Sequence, residues 1–161
     1  MDTVKIIAIS VGVLALIFVI YVTYCITKYN NSKKRILEWM KEKKLKADKT
    51  FEFFNGNFGY SVYADETHEI LVIHNVMRDV KQYIKFSDIR RCEVLENARP
   101  YEEGRTLKKV TRLELVIFTN DSDRPEMHIV LEGDKVRPSS ADYQRKLNFA
   151  RRVGKYIEEV A

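Results

Sequence analysis

The sequence predicts an α+β chain, mainly antiparallel β, preceded by one N-terminal transmembrane helix. Three observations lead there. Residues 6–26 form an apolar run without a charge. Residues 59–131 carry short alternating runs broken by turn residues, the period-2 signature of antiparallel strands. Residues 141–161 place apolar side chains at three- and four-residue steps, which is a helix with one buried face.

The run IIAISVGVLALIFVIYVTYCI is 21 residues long. A hydrocarbon core of about 30 Å needs roughly 20 helical residues, so the run is long enough to span it. Ser10 and Thr23 can bond back to the helix carbonyls and do not break the pattern. Tyr21, Tyr24 and Tyr29 stand at its C-terminal end, where an aromatic belt belongs. A cleaved signal peptide would have a shorter apolar core and a small-residue cleavage site, and Tyr21–Lys28 offers none. A lipoprotein site would need a small residue before Cys25, which instead follows Tyr24. Residues 1–28 are therefore expected to be a retained anchor. Only Lys5 precedes the run among basic residues, whereas Lys28, Lys33, Lys34, Arg35, Lys41, Lys43, Lys44, Lys46 and Lys49 follow it. The positive-inside rule then puts the N-terminus outside and the rest in the cytoplasm as a single-pass protein.

The formal net charge is +5. It is carried by residues 1–49, and the remainder is close to neutral. A nucleic-acid footprint should lie on the folded domain, so no nucleic-acid partner is expected. Two cysteines, one in the apolar run and one in an expected strand, do not make a disulfide framework.

Residues 29–50 read as a basic juxtamembrane helix or stem. Ser32 is its expected N-cap, and Ile36, Leu37, Trp39 and Met40 supply an apolar stripe. Two readings stand. One is a solvated stem that sets topology. The other is a helix lying on anionic headgroups, each basic residue adding about 1 kcal/mol, with Lys28, Lys33, Lys34, Arg35, Trp39, Lys43 and Lys44 as the lipid contacts.

Residues 51–161 form the expected domain. Its strands read as residues 59–64, 69–74, 80–86, 91–95, 110–119 and 126–131. Residues 96–109 read as a polar stretch. Ser139 and Ser140 are N-cap candidates for the last helix, with Tyr143, Leu147, Ala150, Val153, Ile157 and Val160 as its apolar stripe. That stripe should cap an open end of the sheet, and Gly154 beside it would allow close approach.

The hairpin Tyr63–Ala64–Asp65–Glu66 with Glu69–Ile70–Leu71–Val72–Ile73 resembles the opening of bacterial pleckstrin-homology-like (PH-like) domains. So do Ile84–Lys85–Phe86–Ser87–Asp88–Ile89 running into Cys92–Glu93–Val94, and the Ser139–Ser140 cap on a terminal helix. The resemblance covers roughly residues 51–160. It implies a PH-like barrel or sandwich of about six or seven strands capped by the C-terminal helix. It also implies an interaction and oligomerisation module at a bacterial inner membrane. Phosphoinositide-binding relatives use a basic cluster across the first hairpin, whereas this turn, Asp65, Glu66, Thr67 and His68, is acidic.

Little in the chain points to chemistry. His68, His74 and His128 share no metal-ligand spacing with Cys92 or with acidic residues. Cys92 has no neighbouring base, and Asn55–Gly56–Asn57 is a turn, not a phosphate loop. No cofactor, metal or small-molecule substrate is inferred. The segment RPYEEGRTLKK, with Arg99, Tyr101, Arg105, Lys108 and Lys109, is the candidate partner-binding loop. The expected function is a membrane-tethered, non-enzymatic scaffold that binds a protein partner or a second copy. The alternative is a sensor of anionic headgroups through the stem and the 99–109 segment.

Overall fold

One unbroken helix opens the chain: α1, Thr3–Glu42, 40 residues long, or about 60 Å. The computed structural model describes residues 3–55, 58–100, 108–132 and 140–161. α1 is long and apolar enough to cross a membrane, with a mean hydropathy of 2.8 over its most apolar 18 residues, none of which is buried. The sequence pattern separates an anchor over 1–28 from a stem over 29–50, with Ser32 as the stem's N-cap. Ser32 instead lies in mid-helix, fully buried. Between Ile26 and Glu42 there is neither proline nor glycine, so nothing interrupts the backbone ladder.

Four strands follow as one antiparallel sheet, in the order β1 (Lys49–Asn55), β2 (Phe58–Asp65), β3 (Ile70–Asn75) and β4 (Val80–Lys85). β1 was absent from the sequence reading. It is an edge strand that begins with exposed Lys49 and Thr50, so its alternation shows only at Phe51 and Phe53. A 3-10 turn over Phe86–Asp88 leads into a second antiparallel sheet of β5 (Ile89–Pro100), β6 (Lys108–Thr119) and β7 (Glu126–Glu132). Within the expected polar stretch over 96–109, residues 96–100 and 108–109 are strand, and 101–107 lie outside the described residues. Arg99 pairs with Lys109 and Pro100 with Lys108, so β5 and β6 extend as a long hairpin. Backbone pairing does not require apolar side chains where the ribbon faces solvent, and the alternation criterion misses such segments.

The core lies between the sheets. Val62, Ala64, Leu71, Ile73 and Ile84 from the first meet Leu113, Leu115, Ile117, Ile129 and Leu131 from the second. α2 (Ala141–Val160) closes this core and packs mainly on β5 and β1. Ser140 is its N-cap, its side chain accepting from the Tyr143 N–H at 3.2 Å. The expected stripe is on the buried face, joined by Phe149 and Tyr156, which the stripe omitted.

Candidate functional site

The two middle strands of the first sheet, β2 and β3, are covered on both faces. The sheet's inner residues join the core. On its outer face Tyr63 and Val72 join Ile36 and Met40 of α1 in a second apolar cluster, flanked by Trp39, Leu45 and Ile70. On α1 the buried positions are Cys25, Ser32, Ile36 and Met40, with Val22, Lys28, Tyr29 and Trp39 half-buried between them. These recur at helical spacing, so one stripe of α1 faces the sheet.

Polar links run along the seam. The Ser32 hydroxyl donates to the Val76 carbonyl at 3.0 Å, and its oxygen stands 3.3 Å from His74 Nε2. The same nitrogen lies 3.0 Å from Asp79 Oδ1, while Asp79 Oδ2 takes Arg35 Nε at 3.3 Å. Asp79 reaches both because it closes the β3–β4 turn at φ 52°, a conformation that aspartate tolerates better than most residues. Asn75 Oδ1 holds the same turn by accepting from the N–H groups of Met77 and Arg78. His74 is fully buried, and burial pushes its pKa below the ordinary value against the opposing pull of Asp79. Among the described residues its Nδ1 has no hydrogen-bond partner. Nearer the apolar run, Glu52 accepts from the Tyr29 hydroxyl at 2.9 Å and pairs with Lys33 at 2.7 Å. The Tyr29 ring lies 4.6 Å from that of Phe54.

Ser32, His74 and Asp79 are the three residue types of a hydrolytic triad, but their geometry is not that of one. A triad uses one imidazole nitrogen for serine and the other for the carboxylate. Here both contacts fall on Nε2, and the serine is sealed between a helix and a sheet. The network is a clasp, not a nucleophile relay. Burial, with Glu158 and Glu93 adding to it, pushes the Cys92 thiol up to about 12, which leaves it protonated. Among the described residues no group of His, Cys, Asp and Glu side chains could hold a metal ion.

The acidic turn after β2 has a structural use. Asp65 is fully buried, and its carboxylate accepts from the backbone N–H of Lys46 at 2.6 Å and of His68 at 2.9 Å, with His68 Nδ1 at 2.7 Å. Burial raises its pKa, but these hydrogen bonds outweigh it and hold Asp65 down at about 2.

Of the expected lipid contacts, Lys33 and Arg35 are engaged with Glu52 and Asp79. Trp39 packs in the seam, its ring 6.4 Å from that of Tyr83. Lys28 is half-buried, and Lys34, Lys43 and Lys44 are exposed. In the expected partner-binding loop, Arg99, Lys108 and Lys109 belong to paired strands, and Tyr101 and Arg105 lie outside the described residues.

A second feature escaped the sequence reading. β4 and β7 are the outer strands of their sheets, and an open cleft of about 610 Å³ lies between them. Gln82, Tyr83 and Lys85 form one wall, Met127 and His128 the other, and Asp121, Asp123 and Arg124 close one end. His128 is tied to Glu114 at 2.8 Å and Glu126 at 3.1 Å. Strands distant in sequence meet there, so local patterning does not announce it. The seam was nearer to reach. β3 reads ILVIHN with no clear alternation, which signals a strand covered on both faces and therefore a covering helix.

Comparison with family models, with curated proteins and with solved structures yields no match.

Proposed function

We propose that this chain is a single-pass, membrane-tethered, non-enzymatic interaction module. Its PH-like domain, residues 51–161, sits on the cytoplasmic side of a bacterial inner membrane and binds a protein partner or a second copy. The observation that carries the reading is α1, which continues without a break from an uncovered apolar stretch into a helix packed on the domain. Such a chain holds a folded module at a membrane in one orientation. The order of four antiparallel strands, three antiparallel strands and one terminal helix supports the PH-like assignment. The excess of basic residues after the run supports a cytoplasmic domain. Among the described residues β4 and β7 are edge strands beside the 610 Å³ cleft, which supports a polypeptide ligand, because an extended segment can pair with an edge strand.

The anionic-lipid reading is less well supported. Lys33 and Arg35 already have carboxylate partners within the fold, and the acidic Asp65 is committed to backbone N–H groups. Crosslinking of the full-length protein in its native membrane, followed by size measurement in detergent, tests the proposal. A discrete complex or homo-oligomer is expected. A monomer in detergent with no crosslinked protein in cells would sink it.

A further inference from the structure

The geometry points to a second membrane contact: the β1–β2 end of the domain rests in the headgroup layer, with Phe54 and Tyr29 as its aromatic anchor. The inference rests on the reading of residues 6–26 as a bilayer span. It adds where the domain sits and which surface it gives to the lipid.

Height above the membrane can be read along α1. Each helical residue adds about 1.5 Å. The apolar run ends at Ile26, so Tyr29 lies roughly 5 Å beyond the hydrocarbon edge. That is within a headgroup layer of about 5–8 Å per side. Trp39 lies roughly 20 Å beyond it, and a tilt of up to about 40° still leaves it roughly 15 Å out.

The seam transfers these heights to the sheet. Met40 and Ile36 lie in one cluster with Val72 and Tyr63, and Ser32 meets His74 and Val76. Tyr29 meets Glu52 and Phe54. Strand β1 therefore descends toward the membrane as it runs from Lys49 to Asn55. Its last described pair, Asn55 with Phe58, lies beyond Phe54 in that direction. The buried stripe of α1 continues the same way. Cys25 is 3% exposed, although Tyr24 and Ile26 beside it are 60% and 50% exposed. Burial on this stripe thus continues into the last turn of the apolar run. A domain held to α1 at Tyr29, roughly 5 Å beyond the hydrocarbon edge, lies within reach of the headgroups.

The chemistry at this end suits the interface. Tyr29 and Phe54 stack, and the Tyr29 hydroxyl points to Glu52. Burial, with Glu52 adding to it, raises the Tyr29 pKa, so the phenol stays neutral. An apolar ring with one polar handle is the side chain favoured at headgroup level. Lys28 stands one residue before it, at the height of lipid phosphates. The partner is the surface of the same bilayer that holds the span, and no particular headgroup is required.

The test uses the full-length protein in phosphatidylcholine vesicles. Trp39 is the only tryptophan, so W39F with F54W gives a single reporter at the proposed contact. Lipids brominated near the headgroup should reduce the F54W emission about twofold or more, and should leave the native Trp39 emission unchanged. Equal, absent quenching at both sites overturns the contact, and strong quenching of native Trp39 overturns the upright helix. A second pair keeps the test valid if F54W perturbs packing. An environment-sensitive probe on N55C should shift to the blue on reconstitution, and the same probe on T67C, at the far end of the strands, should not. Matching spectra at the two positions also overturn it. Release of the protein by an alkaline wash would show that the span reading, not the contact, has failed.

Discussion

The two helices that cover the β domain do so in different ways. α2 lies on the main core and contributes Tyr143, Leu147, Phe149, Ala150, Val153 and Ile157 to it. α1 lies on the opposite face of the first sheet and shares only a small cluster with Tyr63 and Val72. Beyond that cluster and the ring contacts of Tyr29 with Phe54 and of Trp39 with Tyr83, its hold is polar: Ser32 to Val76, Arg35 to Asp79, Lys33 and Tyr29 to Glu52. α2 is thus part of what makes residues 51–161 fold. α1 sets how the folded domain is aimed at the membrane. Apolar contacts tolerate small sliding, whereas hydrogen bonds fix azimuth and height, so a seam rich in the latter suits an orienting contact.

The widest gap between them should appear on truncation of a buried aliphatic. Ile157 and Ile36 are both fully buried. Ile157→Ala should cost about 2–5 kcal/mol of global stability, as core truncations do. Ile36→Ala removes the same methyl groups from a peripheral cluster. It should lower global stability by less, about 1–2 kcal/mol. Its main effect should be faster amide exchange in residues 32–42 and in β3. Urea unfolding with exchange mass spectrometry on both variants separates the two. Equal global losses with no localised exchange would mean that α1 belongs to the same cooperative unit as α2.

Acid should act on the α1 side first. The pKa of His74 is lowered by burial, so between the ordinary value of about 6.5 and its folded value the unfolded chain binds a proton that the folded chain does not. The contribution is complete above about pH 6.5 and falls as the pH drops below it. Asp79, lowered chiefly by its His74 hydrogen bond against the opposing effect of burial, begins to lose its contribution only below about pH 4. Asp65, held at about 2, follows over the same acid range. Protection factors in the seam, with the intrinsic exchange rate at each pH divided out, should therefore fall from pH 7.5 to 5.5 in the wild type. In His74→Asn that pH dependence should flatten. A seam whose protection factors show no pH dependence would remove the histidine from the clasp.

The clasp is also where the sequence was hardest to read. Six of the seven strands and α2 with its Ser140 cap followed from alternation and helical spacing, because each side chain there answers to a local rule. The seam does not. Ser32 lies 42 residues before His74, and their meeting depends on α1 passing unbroken across β3. Serine after two asparagines imitates a helix start, and only the lack of proline or glycine nearby argues against it. β1 was hidden for a related reason: lysine and threonine at its start continue the composition of the stem. The cleft between β4 and β7 has no local signature at all.

Smaller effects should distinguish the charges on α1. Arg35 is half-exposed and paired with Asp79, whereas Lys34 only approaches Glu38 at 3.9 Å on the open face. Arg35→Ala should cost up to about 1 kcal/mol, and Lys34→Ala close to nothing, as double-mutant cycles on exposed pairs give. Thermal melts of both in the same detergent at two salt concentrations read the difference. If Lys34→Ala cost as much as Arg35→Ala, charge density alone would explain the stem, and the seam pairing would be incidental.

The last contrast is between two glycines. Gly12 sits in the uncovered stretch of α1, and a Cβ there would meet nothing within 4 Å. Gly154 faces the core from α2, where a Cβ would lie 3.5 Å from Leu115 and 3.9 Å from Cys92 Sγ. Both distances are ordinary van der Waals contact, so the close approach expected from a glycine at this position is not forced. Gly154→Ala should therefore gain about 0.5–1 kcal/mol, because alanine loses less backbone entropy in a helix and adds a packed methyl. Gly12→Ala should leave domain unfolding unchanged, since the covered part of α1 begins several turns later. A loss of stability in Gly154→Ala would mean that α2 sits closer to β5 and β6 than these distances allow.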